Sequence, residues 1–261
     1  MTVLITRPQP QADELSALLK QAHIDTLVWP VIEFQPTNEP TDINHAVEAL
    51  KDNDIALFIS PRAVEFTWAA LSTPLQKKLE EAACIAVGSG TALALKNKGC
   101  KQVTCPESNA SSESVLVMPF WQNHPAPCPV FIFKGQGGRE LLENELDNRG
   151  YNVRVVNTYR RVPIVHDIAP LLSAAEKKFD LIISTSCELL EALLAPLNHG
   201  QCHLLTQCPV TVMSQRMLDC AKDLGFLTTL PIHTAENQHL ARVIQEFVYG
   251  RPAKETSIGR D

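Results

Sequence analysis

The chain has 261 residues, 45% hydrophobic and 20% charged, with a formal net charge of −6. That length suits one large domain or two ordinary ones with a proper core, and no apolar run reaches the roughly 18–20 residues of a membrane span. The acidic balance excludes a basic nucleic-acid surface, so an anionic ligand would have to be held by local N–H groups and a few cations.

The first strand starts at once: MTVLITRPQP lacks the charged, apolar and small-residue zones of a secretion signal, which places the protein in the cytoplasm. An amphipathic helix and a second strand, TLVW, follow. The polar, Pro-rich stretch 33–42 then leads to DIALFISPRAVEFTWAAL (54–71), a buried strand ending on Ser60 and entering a helix at Pro61 and Arg62. CIAVGSGTALALKNKGCKQVT (84–104) is a further strand, turn and helix, with Gly88, Ser89 and Thr91 in the turn and Gly99 as the helix stop. After FWQNHPAPCP, the stretch VFIFKGQGGRELL (130–142) passes from an apolar strand through a glycine loop to a helix start. YRRVPIVHD (159–167) echoes the 33–42 connection. DLIISTSCELLEALLAPL (180–197) and VTVMSQRMLDCAKDLGFLTTL (210–230) complete the ordered chain, with Gly225 as another stop and a tail at 251–261 expected to fray.

These segments repeat. Residues 3–29 align without a gap on 130–156, 54–71 on 180–197, and 84–104 on 210–230, each at an offset of 126 or 127. The pattern implies an internal duplication: two doubly wound α/β domains with parallel sheets, helices on both faces and a cleft between them. Ligands of such sheets bind at the carboxyl ends of the strands, which makes ITRP, FISP, AVGSGT, FKGQGG, STS and VMSQR the turns of interest. By the repeat alone the domains are 1–127 and 128–254.

The glycine loop is not a nucleotide site. A P-loop needs Lys and a hydroxyl residue at the end of its glycines, whereas here Lys134 precedes them and Arg139-Glu140 enters the helix. AVGSGTAL, with Glu107 beyond it, is the better dinucleotide candidate, but Leu93 occupies its third glycine position and its repeat partner VMSQRM has no glycine. The free N–H groups of 135–138 make either an anion cradle, as good for carboxylate as for phosphate, or a turn needed only for geometry. The strand-end hydroxyls of Ser60, Thr91, Ser111, Ser112, Thr185 and Ser186 line a site or cap the following helices. No G-x-S-x-G elbow, H-E-x-x-H or C-x-x-C pair is present. The eight cysteines (84, 100, 105, 128, 187, 202, 208 and 220) read as reduced structural thiols, Cys202, His203 and Cys208 with His199 being their tightest cluster. The chemistry must rest on positioning.

ITRP, FISPRAVEF, IAVGSGTALAL with Gly99, KGQGGRELLENELDNRG and the strand with Tyr159, Arg160 and Arg161 resemble, in order and spacing, the uroporphyrinogen-III synthases over residues 3 to about 248. The resemblance implies a lyase that takes hydroxymethylbilane, a linear tetrapyrrole with eight carboxylates, loses water and closes the macrocycle with the last ring inverted. It implies no cofactor and no metal, a monomer, and neither nucleic acid nor membrane as partner. It also implies domains different from those of the repeat: 1–34 with 166–250, and 42–155, joined by paired connector strands at 35–41 and 156–165. Tyr159 matches the family's tyrosine, which would assist departure of the hydroxyl; the alternative is an aromatic packed in a connector. The substrate-binding set it implies is Thr6, Arg7, Ser60, Pro61, Arg62, Gly88, Ser89, Thr91, Lys134, Gly137, Gly138, Arg139, Thr185, Ser186, Ser214 and Arg216. Ser214-Gln215-Arg216-Met217 stands where many members keep a Gly-x-Thr loop, and there Arg216 offers a carboxylate ligand. A two-domain binding or sensory module without catalysis is the alternative function.

Overall fold

The computed structural model describes residues 2–107, 111–176 and 178–250. The expected fraying of 251–261 lies outside those residues. In chain order the chain first forms β1 (Thr2–Ile5), α1 (Gln11–Gln21), β2 (Asp25–Val28), β3 (Ile32–Pro36), α2 (Pro40–Ala49) and β4 (Ile55–Phe58). Next come α3 (Pro61–Ala70), α4 (Thr73–Glu81), β5 (Ala83–Ala86), α5 (Ser89–Asn97), β6 (Gln102–Thr104), α6 (Ser112–Leu116) and α7 (Phe120–Asn123). Then follow β7 (Pro129–Gly135), α8 (Leu141–Asn148), β8 (Asn152–Pro163), α9 (Ala169–Glu176), β9 (Leu181–Ile183) and α10 (Cys187–Leu194). The last elements are α11 (His199–Thr206), β10 (Val210–Val212), α12 (Gln215–Asp223), β11 (Thr229–Pro231) and α13 (Asn237–Tyr249).

The chain divides into two compact units, Met1–Glu33 with Val162–Asp261, and Phe34–Arg161. The first holds a five-stranded sheet of order β11-β10-β9-β1-β2, parallel throughout. The second holds a six-stranded sheet of order β3-β8-β7-β4-β5-β6, in which β4 to β8 pair parallel. Leaving out β3, the two orders correspond: β1 with β7, β2 with β8, β9 with β4, β10 with β5, and β11 with β6. These are the segments that align in the sequence repeat. The stretches 35–41 and 156–165 start inside β3 and β8, neighbours linked by Thr37 N–H to Thr158 O (3.2 Å) and Ile164 N–H to Val31 O (3.0 Å). One strand rises as the other falls, so β3 is the antiparallel edge of its sheet.

The strands read as unbroken apolar runs because helices cover both faces of each sheet. In the second unit, Ala56, Phe58, Phe131 and Phe133 face one layer, while Ile55, Leu57, Val130 and Ile132 face the other. The first unit repeats the scheme, with Leu4, Ile182 and Val210 on one face and Val3, Ile5, Leu181 and Ile183 on the other. All of these are at most 2% exposed. Removing a large one should cost about 2–5 kcal/mol. Helices α5 and α12 end, as expected, at Gly99 and Gly225, with φ of +94° and +91°.

Candidate functional site

In the second unit the carboxyl end of β7 carries an irregularity. Lys134 pairs with Asn157 but Gly135 pairs with Tyr159, so Thr158 is the extra residue of a bulge. Its hydroxyl donates to Lys134 O at 3.1 Å, and Thr158 and Tyr159 are both buried, which breaks the alternation of the strand. The bulge turns Tyr159 onto the backbone of Gly135. A Cβ there would lie 2.5 Å from Tyr159 Cζ and 2.9 Å from its phenol oxygen, so only glycine fits. Phe34 meets the ring edge-on at 5.5 Å and Phe66 lies 5.4 Å away at 30°. The phenol oxygen is 3.5 Å from Ser60 Oγ, the outer limit of a hydrogen bond. The Arg62 guanidinium lies 3.4 Å over the Phe34 ring; burial pushes its pKa down, while Tyr159 and Glu65 oppose that shift and Arg161 adds to it. Tyr159 is thus both a packed aromatic and the owner of a phenol close to the Ser60 hydroxyl and electrostatically coupled to the Arg62 guanidinium.

The glycine loop follows. Gln136 N–H is held by Tyr159 O at 2.8 Å, and Gly137 and Gly138 have φ of +76° and +86°. Both are exposed with open space where a side chain would stand. Helix α8 begins at Leu141, so Arg139 and Glu140 precede the helix that the sequence has them enter. Arg139 is exposed and pairs with Glu113 at 2.8 Å. Lys134 is buried, donating to Arg139 O (3.1 Å) and to the Glu143 carboxylate; the two side chains are 8% and 12% exposed. Its charge is balanced within the unit.

The remaining turns divide between scaffold and donors. Ser60, Ser186 and Ser214 are the N-caps of α3, α10 and α12, each with φ between −155° and −159°, accepting from the N–H of Ala63, Leu189 and Met217 at 3.2–3.3 Å. Gly88 is buried at the matching position before α5, where no side chain can cap; Ser89 is exposed and Thr91 is buried inside the helix. Pro61 opens α3 and rests 3.8 Å from the Cβ position of Gly90.

In the first unit Thr6 is fully buried and donates to Ile183 O at 2.9 Å, tying β1 to β9. Arg7, 7% exposed, donates to Asn237 Oδ1, whose amide in turn donates to Glu14 at 2.8 Å. Burial pushes the Arg7 pKa down and Glu14 opposes it. Thr211 donates to Ser184 O (2.6 Å) and accepts Ser184 N–H (2.9 Å), fixing the turn that carries half-buried Thr185 and Ser186. Ser214 and Arg216 are exposed. Sequence reasoning missed Gly135, Phe34, Phe66, Ser184 and Asn237. Gly135, inside the glycine run, was the one with a visible signal. Among the described residues no group of three His, Cys, Asp or Glu is placed to hold a metal, and no helix is long and apolar enough to cross a membrane.

The class of protein these observations define has two α/β units, each built on a mainly parallel sheet with hydroxyl groups at the carboxyl ends of its strands. The fold is that of solved structures of this kind. A mutant form of the uroporphyrinogen III synthase of Thermus thermophilus matches with a TM-score of 0.63 at 20% identity, covering 95% of this chain and 98% of that one. The uroporphyrinogen-III synthetase of Helicobacter pylori 26695 matches at 0.58 with 15% identity, covering 93% and 99%. In sequence, the chain is 30% identical to uroporphyrinogen-III synthase of Escherichia coli K12 over 248 residues, 94% of this chain and all of that protein. The Proteus mirabilis enzyme is 26% identical over 75% of this chain and 98% of its own. The family model described as uroporphyrinogen-III synthase HemD matches residues 13–242. The chain belongs to the uroporphyrinogen-III synthase family.

Proposed function

We propose that the chain is a lyase of tetrapyrrole biosynthesis that dehydrates hydroxymethylbilane and closes it, with the last ring inverted, to uroporphyrinogen III. The pyrrole nitrogen expels the hydroxyl from the neighbouring CH₂ group, and a donor beside that oxygen helps it leave as water. Closure then depends on which ring carbon reaches the electrophilic methylene, a matter of orientation worth several kcal/mol.

The observation that carries the reading is the seat of Tyr159. A bulge and a glycine direct one phenol to the strand end, beside Ser60 and the Arg62 guanidinium, in a chain whose family match spans that strand. In this reading Tyr159 donates toward the departing hydroxyl, and Arg7, Arg62, Arg139 and Arg216 receive carboxylates. The turn groups of Pro61, Gly88, Ser89, Gly137, Gly138, Thr185, Ser186 and Ser214 line their path. Thr6, Thr91 and Lys134, buried with their own surroundings, hold the frame. Eight unpaired cysteines support a reducing, cytoplasmic setting.

The test is to give the purified protein freshly made hydroxymethylbilane and identify the isomer. The type III product above background is expected. Type I alone, the product of uncatalysed closure, would leave a binding module as the better account.

A further inference from the structure

Helices α1 and α13 share one core of the first unit, with Leu15 and Leu19 beside Leu240 and Ile244. That packing sets Asn237, the first residue of α13, between Arg7 beyond β1 and Glu14 in the first turn of α1. An amide has one acceptor oxygen and two N–H donors, whereas a carboxylate only accepts. Glu14 takes the amide N–H at 2.8 Å, so the amide oxygen is the atom presented to Arg7. The network thereby fixes which way the amide points. Arg7 is 7% exposed and places one guanidinium nitrogen, Nη1, on that oxygen. Among the described residues, the enclosed side-chain nitrogens without a partner belong to Arg160 and His239 and not to Arg7, so its remaining donors still open to solvent.

We propose that Asn237 is a positioning residue: a neutral amide, oriented by Glu14, that aims the Arg7 guanidinium without neutralising it and leaves its other donors for a substrate carboxylate. The inference rests on the reading of Arg7 as a carboxylate ligand. A carboxylate in place of the amide would make a charge-assisted pair with the guanidinium, often through two donors at once. The fate of Lys134 shows that outcome in the same chain, its ammonium being taken up by Glu143 and Arg139 O. An amide takes one donor and cancels no charge. Glu14 stands behind it, where its charge opposes the effect of burial on Arg7. The repeat puts Leu141 at the position of Glu14, so this relay belongs to the first unit.

The test compares Asn237→Asp, Asn237→Leu and Arg7→Met in the full-length protein, by steady-state kinetics on hydroxymethylbilane and by denaturant midpoint. Asn237→Asp keeps the shape and sets a carboxylate against the guanidinium, while exposed Glu14 can turn into water. Its midpoint should stay at or above wild type, since it gains an ion pair and an acid in the first turn of α13. KM should rise about fivefold to tenfold with kcat within about twofold, the weight of one charge-assisted hydrogen bond withheld from substrate. Asn237→Leu should raise KM too and lower the midpoint, because Arg7 loses its acceptor. A purely structural Asn237 predicts that Asp leaves KM alone. Wild-type KM in Asn237→Asp beside a raised KM in Arg7→Met would overturn the proposal and leave Arg7 standing as a ligand. Wild-type KM in Arg7→Met would overturn the ligand reading, and this inference with it. A fall in kcat at constant KM in Asn237→Asp would also overturn it, because a residue that only aims a binding group acts on KM.

Discussion

The two units share one strand frame and spend its carboxyl ends differently. The carboxyl end of β7 and the turn beyond it hold Lys134, Gly135, Gln136 and Gly137; beyond β1 their counterparts are Arg7, Pro8, Gln9 and Pro10. Lys134 is neutralised by Glu143 on α8, whereas the residue matching Glu143 on α1 is Ser16, which hydrogen-bonds to Thr26. Arg7 leans instead on a neutral amide, Asn237. The second unit therefore uses its cation as a strut, and the first keeps one whose charge has no direct carboxylate partner among the described residues. The opposite holds for the aromatic. Tyr159 has Ile32 as its counterpart, and among the described strand pairs the bulge that turns a phenol over a glycine belongs to β8. In the reading proposed above, Arg7 of the first repeat offers its charge to a carboxylate and Tyr159 of the second offers its phenol as an acid.

The largest effect should come from the strut. Removing one partner of a buried pair leaves the other uncompensated, at a cost of about 3–5 kcal/mol. Lys134→Met should accordingly lower the denaturant midpoint sharply, and Lys134→Met with Glu143→Leu should recover most of it. Arg7→Met should lose about 1–2 kcal/mol, mainly through the unpaired amide of Asn237, and should raise KM tenfold or more. Equal stability losses in the two single variants, with KM untouched in Arg7→Met, would erase the distinction between strut and ligand.

Next is Gly135→Ala. A methyl 2.5 Å from Tyr159 Cζ forces the ring or the bulge to move, an overpacking cost of about 1–3 kcal/mol. Activity should fall by at least as much as in Tyr159→Phe, because both the ring position and the phenol are lost. If Gly135→Ala is stable and fully active, the ring has another seat.

Most of the frame was legible in the sequence, because strands covered on both faces read as apolar runs and the repeat fixes which strand matches which. The serine caps Ser60, Ser111 and Ser186 were legible because a hydroxyl before a helix has an orphan N–H waiting for it, whereas Ser214, read only as a binding residue, proved to be a further cap. The bulge was not. It depends on Thr158 reaching Lys134 O, a contact between residues 24 apart that no periodicity announces. The fate of Lys134 was hidden too, because Glu143 becomes its partner only after α8 packs back on β7. Phe34 and Phe66, far apart in the chain, gave no sign that they enclose one ring.

Tyr159→Phe separates acid from packing. The ring contacts with Phe34 and Phe66 survive, so stability should change little. A positioned general acid is worth about 10²-fold or more when its step limits the rate, but a reactive leaving group needs less help. We expect a fall in kcat of roughly tenfold to a hundredfold with KM nearly constant. Unchanged turnover would remove the phenol from the reaction and leave orientation alone to carry it.

The smallest effect is the sharpest comparison. Ser60 and Ser186 are counterparts, both N-caps with nearly the same geometry, accepting N–H groups at 3.2 and 3.3 Å. Replacing either with Ala should cost about 1 kcal/mol of stability, the ordinary loss of a cap. Their second neighbours differ. Ser60 Oγ also sits 3.5 Å from the Tyr159 phenol, so Ser60→Ala frees that oxygen to rotate and should lower kcat about twofold to fivefold, the weight of a weak hydrogen bond. Ser186 has no phenol beside it among the described contacts, and Ser186→Ala should act on KM alone. In the Tyr159→Phe background the kcat effect of Ser60→Ala should vanish while its stability cost remains, since a cap needs only α3 and an orienting hydroxyl needs the phenol. Additive kcat losses in that double variant would mean that Ser60 acts on the substrate directly and that Tyr159 is held by its aromatic neighbours alone.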